Sequence, residues 1–453
     1  MTLETKTFIK EIKSDSKLFG EWTKSLKTPL SPTSRLLLRN IFKKIRKCAQ
    51  TWETRKNSIL KTIAPLTFQK VKEIAASDFQ VIPSEFQTSI EQTCDKQTSV
   101  TFDIPYTRIP NTSRTYQIYI CTSSSCKDNV LYGIIRKVFW WLCIVNDDVE
   151  ASCSKTVNVF LYMIDPKKNM PHSHETLDRQ HANTAFTTTC QIHTNIHIFR
   201  KEEWFRALIH ETFHNLGLDF IRLDSAIVDS QVTEIKKVFP ISVPDIRFYE
   251  TYCETWAELL NTCFYVYGMN SMATQKKLIT EFQHHIQYEQ MFSLLQCVKL
   301  LAHNNIDYNH FSQEAAKSYK ENTQGFSYFV LKCISMVHYG QFLDFCATQR
   351  PMRRLNTRTR KNEGRAVKKY TRRQGSVAIT PSSSSSSMVL SENTFDFVKD
   401  KKNLVNYRKL FTGNAKSDKM TNGVKFAKQF HEKMKSKQNN TLTNTLRMSI
   451  LES

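Results

Sequence analysis

The 453-residue sequence has only 10 glycines and 12 prolines, beside 40% hydrophobic and 23% charged residues. That composition fits a soluble globular protein, and the length allows two or three domains with at least one sizeable core. No stretch approaches the ~18 uncharged apolar residues that a bilayer-spanning helix needs, which excludes one. The nearest, Val130 to Val145, is interrupted by Arg136 and Lys137, and its apolar positions recur at helical spacing. The opening "MTLETKTFIK" lacks the apolar run of a secretory leader. The 12 cysteines are therefore expected as free thiols in a reducing, intracellular compartment, not as a disulfide framework. Cys121 and Cys126, in "CTSSSC", have no matching second pair, so no structural zinc is expected there. Internal repeats are also absent.

Positive charge is abundant and uneven. The formal net charge is +22, and from Cys346 onward 24 Lys and Arg face 7 Asp and Glu, so +17 of it lies there. The chain divides into three parts on this reading. Residues 1–128 form a basic, mainly helical N-terminal region ending in a β-hairpin around "VTFDIPYTRIPNTSRTYQIYI", with Pro-Asn-Thr-Ser as the turn. Residues 129–346 form an α+β catalytic domain of helix, strand "TVNVFLYMID", strand "CQIHTNIHIF" and a histidine-bearing helix. Residues 347–453, with "RRLNTRTRKNEGRAVKKYTRR" and a serine run, are expected to be a largely disordered basic tail. Such a tail suits nucleic acid or another polyanion, since lysine and arginine clusters bind phosphate with little sequence preference.

The chemistry centres on "FRALIHETFHNLGLDF" (Phe205 to Phe220). Lys201 to Asn215 reads as a helix, with Glu202 and Glu203 in the first turn and Gly217 as the stop. Residues four apart share a helix face, so His210 and His214 can reach one zinc ion while Glu211 projects beside them. Zinc acidifies a bound water, and Glu211 is placed to take its proton. Further on, "RFYETYCETWAELLNTCFYVYG" is a second helix with Glu250, Glu254 and Glu258 in one row. Three stacked carboxylates on an otherwise aromatic helix repel one another unless a cation lies opposite. A third ligand is expected from this row.

The pairing of HExxH with a later helical glutamate resembles the gluzincin branch of zinc metallopeptidases. The resemblance implies a zincin-like core with Glu254 of "ETWAE" as third ligand and Glu258 orienting a ligating histidine; Glu250 is the competing ligand. The stretch from Val157 to Gly268 also resembles a group of uncharacterised metallopeptidases of large nucleocytoplasmic DNA viruses, which implies a viral, virion-associated setting. Metzincins fit less well, because Phe220 stands where they carry a third histidine and Asp219 sits one position early for their aspartate variant.

"NTAFTTTCQIH" is the expected sheet edge for an extended substrate. Its His193 and His197 lie four strand residues apart, about 13 Å, too far to share an ion. Tyr252, His303, His310, Tyr319 and Tyr328 are all available as oxyanion donor. The expected function is a zinc-dependent endopeptidase acting on a protein or peptide. The alternative is a catalytically silent, basic, nucleic-acid-associated or virion structural protein on the same fold.

Overall fold

Strand-forming segments rich in Val, Ile, Thr and Tyr build one sheet, and helices cover both its faces. The computed structural model describes residues 2–107, 109–242, 245–311, 317–348, 394–395 and 399–452. The strands are β1 (Ala64–Leu66), β2 (Lys96–Pro105), β3 (Ser113–Thr122), β4 (Thr156–Tyr162), β5 (Ala185–Thr187) and β6 (His193–Ile198). They lie in the order β1-β2-β3-β4-β6-β5. β2 and β3 form the expected antiparallel hairpin, closing at Pro105 opposite Ser113. β3 to β4 is a parallel pair, which requires a crossover, and the helix Asp128–Val145 supplies it. β4 and β6 are also parallel, whereas β5 pairs antiparallel with β6 at the end of the sheet.

One face of the sheet, with Val100, Ile118, Val159 and Ile196, packs on the main helical layer. The other, with Tyr119, Cys121, Phe160 and Tyr162, is covered by Phe68–Ala75 and Ser84–Thr93 through Val71, Phe86 and Ile90. The fold class is therefore α+β.

A single apolar cluster runs from Phe8 to Leu451. The strands before residue 128 sit in the same sheet as those after it, so that boundary does not separate two cores. The expectation of a disordered tail needs correcting where the structure describes it. Lys401–Asn414 and Asp418–Ser436 are helices, and Met420, Val424, Ala427, Phe430 and Met434 are buried. Spacings of four and three place these five on one stripe, and burial of that stripe orders the segment. The basic stretch after Arg350 and the serine run fall outside the described residues.

Cys153 and Cys190 are joined by a disulfide, against the expectation of thiols throughout; the other ten cysteines form no disulfide. Among the described residues, no helix is long and apolar enough to cross a membrane.

Candidate metal centre

The first of the two helices that make the site spans Trp204–Asn215 and starts three residues later than its sequence suggests. Glu202 and Glu203 precede it, and Glu203 adopts the left-handed conformation, with φ of 59°. That uncommon backbone is held by its side chain. The Glu203 carboxylate accepts N–H bonds from Met448 and Ser449 at 3.0 and 2.6 Å and pairs with Lys168 Nζ at 2.9 Å. At the other end Gly217, with φ of 61°, donates its N–H to the His214 carbonyl at 3.0 Å and stops the helix.

The second helix, Phe248–Met269, is buried along nearly its whole length. Of its three glutamates, Glu250 meets the histidines on their Nε2 side. Its Oε2 lies 3.1 Å from His210 Nε2 and 3.3 Å from His214 Nε2, and the two Nε2 atoms are 2.9 Å apart. Together these buried groups could hold a metal ion.

Glu254, the expected third ligand, lies one turn further on, behind the His210 ring. Its Oε1 is 2.9 Å from His210 Nδ1, a contact of charge rather than an aligned hydrogen bond, and Arg206 binds its carboxylate. Glu258, expected to orient a histidine, is another turn away and pairs with Lys332 Nζ at 3.1 Å. The structure thus brings His210, His214 and Glu250 together at their Nε2 and Oε2 atoms, with Glu254 behind them and Glu258 apart.

Asp219, which the sequence marked only as misplaced for a ligand, binds His214 Nδ1 and also accepts the Ile221 N–H at 3.0 Å. Cys253 lies against the same pair, its Sγ 3.7 Å from His214 Nδ1. Each ring therefore has a carboxylate at Nδ1. That arrangement favours the Nδ1–H tautomer and turns both Nε2 lone pairs toward the Glu250 carboxylate.

With no cation present, the same carboxylates favour the protonated rings instead. Burial alone would lower the histidine pKa values, but Glu254 and Glu250 overcome it and hold His210 at about 9. Burial is likewise outweighed at His214, where Cys253, Glu250 and Asp219 hold the ring well above the usual range. Despite their own burial, Glu250 is held down chiefly by His214 and Glu254 chiefly by Arg206. Glu211 differs: burial pushes it up, and the two histidines only partly oppose that. So much local negative charge is what a bound cation would balance.

Glu211 lines a cavity of about 30 Å³ with His210, Glu254, Lys168, Arg206, Tyr328 and Met448, closed on the sheet side by Asn183, Thr184 and Ala185. Of the five candidate oxyanion donors, Tyr328 alone lines it. Burial and then Glu250, Glu254 and Glu211 push its hydroxyl well above the usual range, so it keeps its proton as a donor. His303 contacts the Glu175 carbonyl at 2.8 Å, His310 pairs with Asp307 at 3.2 Å and Tyr319 donates to Glu321 at 2.6 Å. Tyr252 packs among Phe213, Phe220 and Tyr407. His197 is buried in a stack between Phe160 and Phe186, while His193 is exposed.

Arg206 and Met448 escaped the sequence reading, as did the part that Asp219 plays beside His214. Arg206 had a usable signal, since it stands four residues before His210 on the same face; Met448 had none. No family model matches this chain, and neither the curated proteins nor the solved structures contain a match to it.

Proposed function

We propose that the protein is a zinc-dependent peptide hydrolase whose metal ligands are His210, His214 and Glu250, with Glu211 as general base. The convergence of three donor atoms carries this reading. Tetrahedral zinc with bonds of about 2.0–2.1 Å separates its donors by roughly 3.3 Å; here the separations are 2.9, 3.1 and 3.3 Å. Two nitrogen lone pairs and a carboxylate oxygen repel one another at such distances unless a proton or a cation stands among them. Donors of this kind suit zinc, and Asp219 and Glu254 behind the rings are the carboxylate–histidine pairs that strengthen such ligands.

A zinc ion held there would polarise a scissile carbonyl and acidify a water. Glu211, raised by burial, accepts the proton of that water and passes it to the leaving amine. Tyr328 donates its hydroxyl proton to the oxygen on which charge develops. β5 offers its outer edge, beside the cavity-lining Thr184 and Ala185, to an extended substrate. The zincin-like core expected from the sequence is part of the same proposal, supported by the pairing of the two buried helices beside a mixed sheet.

The test is metal analysis of purified protein together with digestion of unfolded casein. One zinc per chain, and digestion that ceases on chelation and returns with zinc, are expected. Protein that takes up no zinc, or zinc-loaded protein that leaves casein intact, would refute the proposal.

A further inference from the structure

The region beside the metal centre contains a second binding arrangement, already filled by this chain. Residues 442–451 run through the core and are gripped by their main chain. Lys299 Nζ donates to the carbonyls of Leu442 and Thr445, the former at 2.8 Å, and Lys332 Nζ donates to that of Met448 at 2.7 Å. Glu203 accepts the N–H groups of Met448 and Ser449, and Glu289 those of Ile450 and Leu451 at 3.0 and 2.7 Å. All four ionisable side chains are at most 4% exposed. Lys299 has no hydrogen-bond partner among the described residues besides those two carbonyls. Without this segment Lys299 would lose both of its carbonyl partners, whereas Glu203 and Lys332 would keep Lys168 and Glu258.

Side chains join this main-chain grip: Leu446, Ile450 and Leu451 are buried in the core, and Arg447 pairs with Glu202 and Glu452. The segment also bears on the pocket at His210 and Glu211. The cavity of about 30 Å³ has room for about one water molecule and is lined by His210 and Glu211, but not by His214 or Glu250. Met448 forms part of its wall. Lys168, another part, accepts the Leu446 N–H at 2.7 Å, and Met170 donates to the Asn444 carbonyl at 2.6 Å. One residue of the segment thus walls the cavity, while Leu446 and Asn444 fasten its neighbouring loop.

We propose that residues 442–451 are an intramolecular peptide ligand: they fill a channel that binds peptide largely through its main chain, and by filling it they close the pocket at His210 and Glu211 beside the proposed metal ligands. The channel is independent of the hydrolase reading; the closure rests on the metal part of it.

The experiment uses the full chain with a site-specific protease sequence inserted at the exposed Lys437–Gln438 junction. After cleavage, the folded nicked protein is washed free of the segment and titrated with a fluorescent synthetic peptide of residues 440–452. Saturable binding is expected, at least 100-fold weaker for a peptide N-methylated at Ser449 and Ile450, which lacks two of the gripped N–H groups. Equal binding of the two peptides, or a segment released only on global unfolding, overturns the channel.

For closure, zinc-loaded nicked protein is mixed with a chelator. Extraction at least tenfold faster without the peptide, and slow again once it is restored, is expected. An unchanged rate in protein that remains folded overturns closure. A chain that never takes up zinc removes the metal reading and closure together, while the peptide titrations still judge the channel.

Discussion

Exchanging Glu250 and Glu254 one at a time for glutamine separates ligand from support. Glu250 faces both Nε2 atoms, at 3.1 and 3.3 Å. If a zinc site of this type is worth about 10–16 kcal/mol, one of three ligands carries roughly 3–5 kcal/mol, a loss of hundreds- to thousands-fold in affinity. Glu254 sits at His210 Nδ1, where removing a supporting carboxylate costs about 10–100-fold. Stability should move the other way. Arg206 is 3% exposed and relies on Glu254 and Glu203, so neutralising Glu254 strands much of a buried cation, at a cost of up to about 3–5 kcal/mol. Zinc affinity measured by competition with a chromogenic chelator, and thermal melts of the metal-free proteins, read the two effects independently. The expected outcome is that Glu250→Gln loses zinc, whereas Glu254→Gln retains it with weaker affinity and melts lower. Stoichiometric zinc in Glu250→Gln together with its loss in Glu254→Gln would return the third ligand to Glu254 and refute the geometric argument.

Glu211→Gln should keep full zinc occupancy and lose casein digestion, since the amide cannot accept a proton; undiminished turnover would rule out Glu211 as the base. Tyr328→Phe should lower kcat about 10²–10³-fold with zinc content unchanged, the usual cost of one oxyanion donor; an unaltered kcat would assign Tyr328 to packing. Stability should fall with acid through two histidines at the C-terminal helices. Burial, aided by Lys419 at His338 and by Lys435 and Lys299 at His431, holds both at about 4, below the ordinary 6.5. A depressed folded pKa gives stability that is complete above about pH 6.5 and is lost as pH falls through 4, up to about 3 kcal/mol each. Urea midpoints at pH 7 and 4.5 should therefore converge in His338→Gln relative to wild type, and parallel slopes would contradict the shift. Replacing residues 350–393 by a flexible linker should leave the melting temperature and zinc content unchanged and abolish salt-sensitive binding to DNA. DNA binding that survives would move the polyanion site to the helices that remain.

The histidine helix was legible because its information is local: a four-residue spacing, and a glycine where the chain turns left-handed. The choice between Glu250 and Glu254 was not. They share a helix face about 6 Å apart along the axis, and which one meets the histidines depends on where two distant helices cross. Asp219 was hidden in the turn after the helix, where sequence offers no reason for a side chain to fold back on His214. Tyr328 arrives from more than a hundred residues away. In Asp418–Ser436, lysines on the outer face mask the stripe from Met420 to Met434, and summing charge over the region made it resemble an unfolded extension. The Cys153–Cys190 bond depends on β4 and β6 lying side by side, a pairing that the spacing of the cysteines does not reveal.

The apolar cluster that runs from Phe8 to Leu451 also sets a schedule for synthesis. Thr5 hydrogen-bonds to the Ile450 carbonyl, and Phe8 packs on Phe430. A ribosome adding about 5–20 residues per second needs roughly 20–90 seconds to travel between them. Until residues 448 and 449 emerge, Glu203 lacks the amides that hold the start of the histidine helix. The nascent chain therefore cannot close this core, or fix the start of the histidine helix, before the segment around residue 449 has been made.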